Sequence, residues 1–171
     1  MIKLSNFKVN TLKLNWETIL IGLEGPGKFP PQITSKEVID YAVDLISQED
    51  NQPEDVWMLA GLSEKDTSEI KRLVKKLANN EKSVKEFELD KWKVTLLEKA
   101  LNEISDKPIY GLIELTEFWE KFDFPVDSPH VIQGLSNNMS PEEYFTKENY
   151  DIIIKKHKNW IENKLTQLRG G

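Results

Sequence analysis

The chain contains no cysteine, and that one absence removes disulfide frameworks, thiolate zinc sites and cysteine nucleophiles from consideration. Arginine is nearly missing as well: among 23 basic residues only Arg72 and Arg169 are arginine, and the rest are lysine. Guanidinium groups carry most bidentate contacts to phosphates and base edges. With a formal charge of −6 on top of that scarcity, a nucleic-acid partner is not expected. No apolar run approaches the ~20 residues of a membrane span. The start, Met1-Ile2-Lys3-Leu4-Ser5-Asn6, has no apolar signal core or cleavage site. A cytoplasmic protein without membrane contact is the expectation.

The 171 residues, 39% hydrophobic and 30% charged, suit one folded domain of ordinary size with a buried core. Neither an internal repeat nor a low-complexity linker interrupts it. The acids are unevenly spread. Lys36 to Asp55 holds Glu37, Asp40, Asp44, Glu49, Asp50, Glu54 and Asp55 against Lys36 alone. Leu101 to Asp127 holds seven acids against Lys107 and Lys121. Such zones are either solvated helix faces or surfaces that steer a basic partner.

Helical spacing recurs along the chain and strand alternation is scarce. Asn15 can cap Trp16 to Leu23, which stops at the breaker run Gly25 to Pro31. Thr34 or Ser35 opens a helix with Val38, Ile39, Ala42, Val43, Leu45 and Ile46 inward. Pro53 suits the first position of a helix closed by Gly61. Ile70, Leu73, Val74 and Leu77 mark an amphipathic helix. Ser83 and Glu86 form a capping-box pattern ahead of Phe87, Trp92, Leu96, Leu97, Ala100, Leu101 and Ile104. A helix over Ile109 to Phe122 follows Lys107-Pro108, and Ser140-Pro141-Glu142-Glu143 opens another. Thr146 then caps the last, which buries Tyr150, Ile153, Ile154, His157, Trp160, Ile161 and Leu165. The five tryptophans fall one per helix at core-like positions. The expected fold is all-α: a single-domain bundle of about eight short to medium helices, with Lys3 to Lys13 as a possible extended segment.

No motif spells out a chemistry. Gly22-Leu23-Glu24-Gly25-Pro26-Gly27-Lys28 superficially suggests a phosphate loop, but the Walker pattern needs a following Ser or Thr, and Phe29-Pro30-Pro31 forbids a helix there. Glu114, Glu117 and Glu120, with Asp123, Asp127 and His130 nearby, could in principle make a carboxylate–histidine metal site. Their spacing is unspecific and no HExxH occurs, so a solvated acidic stripe is the plainer reading. His130 follows Pro129 in a loop, with no triad partner suggested in sequence, and a histidine that hydrogen-bonds locally is the plainer reading. His157 sits among lysines, at the edge of a helix face. No metal, cofactor or catalytic residue is assigned, and the chain is not read as an enzyme.

The stretch from Ile113 to Phe145 breaks the pattern: a helix runs into the loop Phe122 to Gly134 and on to Ser140. Loops this long inside a domain are uncommon and, when ordered, usually functional. The block Leu112-Ile113-Glu114-Leu115-Thr116-Glu117-Phe118-Trp119, the loop with Asp127-Ser128-Pro129-His130, and Asn137-Asn138-Met139-Ser140-Pro141-Glu142-Glu143-Tyr144-Phe145 resemble a bacterial family, the domain of unknown function 2247. The similarity reaches Leu14-Asn15-Trp16. Small acidic chains of that kind look like immunity proteins encoded beside polymorphic or contact-dependent toxins. The resemblance therefore implies binding and blocking of a cognate toxin domain, with a basic nuclease as one partner class. It carries no catalytic residues. The expected partner-binding residues are Glu114, Glu117, Glu120, Asp123, Asp127, His130, Val131, Ile132 and Gln133, with Val131 and Ile132 as apolar anchors at the loop tip. A small metal-dependent hydrolase built on Asp123, Asp127 and His130, or a helical adaptor without a toxin link, are the competing expectations.

Overall fold

The first surprise lies at the start of the chain, where Ser5–Val9 forms a short helix, α1, rather than an extended segment. Lys3 N–H donates to Asn6 Oδ1 at 3.0 Å, and Leu12 N–H closes back on Phe7 O at 2.8 Å. Five residues are too few to show a period or to stand alone in water. Burial of Phe7 supports the turn: its ring meets Trp92 edge-on at 4.7 Å, an arrangement aromatic pairs favour.

The computed structural model describes residues 1–170. Among them there are nine helices and no strand, so the protein is all-α. After α1 come α2 (Trp16–Glu24), α3 (Ser35–Gln48), α4 (Glu54–Ala60), α5 (Thr67–Asn80), α6 (Lys85–Glu103), α7 (Pro108–Glu120), α8 (Pro141–Tyr144) and α9 (Lys147–Arg169). None of these helices is long and apolar enough to cross a membrane. The chain packs as two compact units, Met1–Lys93 and the residues from Val94 on.

In the first unit α2 packs on α5, and α3 and α4 pack on each other and on α5. Ile19, Val38, Ala42, Val56, Leu59, Ile70, Leu73, Val74 and Trp92 are fully buried there. Three sequence expectations shift. In α3 only Val38 and Ala42 are buried, while Val43 is exposed and Ile39, Leu45 and Ile46 are half-buried, because the face covered by α4 and α5 is narrower than the apolar stripe. In α4 the covered residues are Val56 and Leu59, which leaves Trp57 in solvent. In α6 the helix opens at Lys85, with Glu88 N–H donating to Val84 O, one residue beyond the anticipated Ser83 cap.

In the second unit α7 and α8 each pack on α9, around Leu112, Leu115, Phe118, Trp119, Ile153 and His157. Glycine at 111 allows this: a Cβ there would lie 2.5 Å from the Tyr150 ring and 2.6 Å from Ser105 O. Tyr150 in turn donates its hydroxyl to Ser105 O at 2.8 Å.

Candidate functional site

Helix α7 divides sharply into two faces. Pro108 opens it at a position that needs no N–H, and Gly111, Leu112, Leu115, Phe118 and Trp119 turn inward. The other face carries Ile109, Tyr110, Ile113, Glu114, Glu117 and Glu120, all exposed. These recur at three- and four-residue steps and so form one continuous stripe. Its first half is apolar and its second half acidic. Glu114 also accepts from Ser105 N–H at 3.3 Å. Among the described residues no cation pairs with Glu117 or Glu120.

The loop that follows is ordered from within. Asn137 Oδ1 accepts from Gly134 N–H at 3.1 Å and Met139 N–H at 3.2 Å, while its amide donates to Ile132 O and Leu135 O at 2.8 and 2.9 Å. Gln133 Nε2 donates to Met139 O at 2.8 Å, and the Tyr144 hydroxyl donates to Val131 O at 2.5 Å. Val131, Ile132 and Gln133 are therefore half-buried struts of the loop and not its tip. The apolar groups that do face solvent are Phe124, Val126 and Leu135. Asp123 is exposed, with φ at 55°. Asp127 is drawn to α9, where Lys164 Nζ lies 2.8 Å from its carboxylate.

His130 points the opposite way from the expectation of a presented loop residue. Thr116 Oγ1 spends its own proton on Leu112 O at 2.9 Å, so at 2.7 Å from His130 Nε2 it must accept the imidazole N–H. That leaves Nδ1 as a buried acceptor with no hydrogen-bond partner. His157, expected among the residues that the last helix buries, is fully buried. Its Nδ1 donates to Ile153 O at 2.7 Å and its Nε2 accepts from Trp119 Nε1 at 2.9 Å. The two ring centroids stand 5.6 Å apart, with the planes inclined at 64°. Burial, reinforced by its neighbour His157, pushes His130 down to about 3. Burial likewise pushes His157 down to about 4, against the Ile153 carbonyl that pulls it up. Both are neutral near pH 7, and a base that weak accepts protons poorly there. Among the described residues no three His, Asp or Glu side chains converge as metal ligands.

The structure thus groups Glu114, Glu117 and Glu120 on one face and leaves Asp123 in solvent. It ties Asp127 to Lys164 and turns the half-buried His130 inward, toward Thr116 and His157. Reasoning from sequence missed Ile109, Tyr110 and Ile113. Their signal was present: they fall off the 112/115/119 stripe once α7 is wound at 3.6 residues per turn.

No curated protein and no solved structure matches this chain. Residues 4–165 match the profile of a family described as "uncharacterized protein conserved in bacteria (DUF2247)", and the chain belongs to that family.

Proposed function

We propose that the chain is an immunity protein, which binds a cognate bacterial toxin domain and blocks it through the outer face of α7 and the adjoining loop. The observation that supports a binding role is the α7 stripe, where Ile109, Tyr110 and Ile113 share one exposed face with Glu114, Glu117 and Glu120. Exposed Tyr and Ile beside unpaired acids match the make-up of interface anchors with a charged rim. A cationic partner gains association rate from such a field. The toxin link rests on the likeness of small acidic chains of this type to immunity proteins.

Co-purification with the product of the gene immediately upstream, together with growth rescue of cells expressing that product, tests the reading. The expected result is a stable complex and rescue by the native chain. Glu117→Lys and Ile113→Asp should each weaken the complex at least tenfold, about 1.4 kcal/mol, with thermal unfolding unchanged. A chain that neither binds nor rescues, or two variants that protect as well as the native protein, would overturn it.

A further inference from the structure

Four of the five tryptophans are buried, but Trp57 is 49% exposed, and Met58 beside it is 42% exposed. Scattered exposed apolar residues are ordinary, whereas a large adjacent pair on one helix face is not. Glu54, Trp57 and Met58 lie at i, i+3 and i+4 of α4 and share its outer side; Val56 and Leu59 hold the inner side. Glu54 is exposed, as are Asp44, Glu49 and Asp50 in the same acidic zone. Among the described residues none of these four has an ion-pair partner, while Lys36 pairs with Asp40 at 2.7 Å and Lys76 with Asp55 at 3.0 Å.

The charge decides what this face can hold. Nucleic-acid phosphates and an anionic membrane surface are repelled by it. A second copy docked about a twofold axis would bring the same patch, and so the same acids, against itself. A positively charged protein segment meets no such obstacle. Its ammonium or guanidinium can reach Glu54 and lie over the Trp57 indole, where the ring quadrupole attracts cations. Its apolar side chains can settle on Met58, whose unbranched thioether adapts to varied shapes.

We infer that the outer face of α4, with Trp57 and Met58 as anchor and Glu54 as rim, docks a cationic amphipathic segment of a partner protein. This surface belongs to residues of the first unit and does not depend on the immunity reading of α7.

The test uses the full chain and a fluorescently labelled amphipathic lysine–leucine peptide, followed by anisotropy. A glutamate–leucine counterpart and phosphatidylserine-containing vesicles serve as competing probes. The lysine–leucine peptide should bind, and more weakly as salt is raised. Trp57→Ser, which leaves the charge untouched, should weaken it at least tenfold, and Glu54→Gln severalfold. Ile113→Ser on α7 should leave it unchanged. Met58→Ser provides a second neutral variant should Trp57→Ser melt early. Equal peptide binding by Trp57→Ser and Met58→Ser would reduce the effect to net charge and overturn the inference. So would equal or tighter binding of the vesicles or the acidic peptide, or self-association in gel filtration that disappears with Trp57→Ser.

Discussion

A glycine inside a helix ordinarily weakens it, yet Gly22 sits in the last turn of α2 with a clear reason. A Cβ at that position would stand 2.2 Å from Trp92 Cζ2 and 2.7 Å from Cη2. The indole cannot retreat, since it is fully buried and donates Nε1–H to Thr18 O at 2.9 Å. Gly22→Ala should therefore destabilise through overpacking, by about 1–3 kcal/mol. In a thermal melt this is a fall of roughly 5 °C, and an unchanged melting temperature would show that the ring yields. The glycine that superficially suggested a phosphate loop is a packing residue. Nothing local announces this, because Trp92 is far away in sequence.

Helix α2 also shows how an element is completed by groups its own sequence does not contain. Asn15 Oδ1 accepts from Thr18 N–H at 3.0 Å, the local cap that Asn15 advertises. Two further amides at the same end, Trp16 N–H and Glu17 N–H, donate to the Glu81 carboxylate at 2.9 and 3.1 Å. Burial pushes that carboxyl up in pKa, against the two amides that pull it down. Glu81→Ala leaves both donors partly buried and unmatched, which should cost about 1–3 kcal/mol. The urea midpoint should drop for Glu81→Ala and drop less for Glu81→Gln, which keeps one acceptor oxygen. Equal stability of all three chains would mean that water replaces the carboxylate. The capping residue Asn15 was legible because its partner is three residues away; Glu81 was not, because only tertiary packing brings it to α2. The long loop after α7 follows the same logic: its existence was plain from Phe122 to Ser140, but the inward turn of His130 depends on Thr116 and His157.

For the molecule as a whole, the two histidines set a pH dependence. Burial holds His157 at about 4, below its ordinary 6.5, and His130 at about 3. The unfolded chain then binds protons more readily than the folded one. Their contribution is complete above about pH 6.5 and is lost as the pH falls through about 4 for His157 and about 3 for His130. For His157 alone this is on the order of 3 kcal/mol. His157→Gln keeps an acceptor for Trp119 Nε1 and a donor for Ile153 O but does not titrate. Unfolding free energy measured from pH 7 to pH 4 should fall more steeply for the native chain than for the variant, and parallel profiles would refute the assignment. The helical class, the helix ends marked by Asn15, Thr34, Ser140 and Thr146, and the acidic surplus were all determined by the sequence alone. Caps, periods and charge act over a few residues or none, so they can be read along the chain. The tertiary structure alone decided that Ser5–Val9 winds into α1, that Trp57 stays in solvent, and that His157 meets Trp119. Each of these depends on which neighbour covers which face, and covering is a relation between elements distant in the chain.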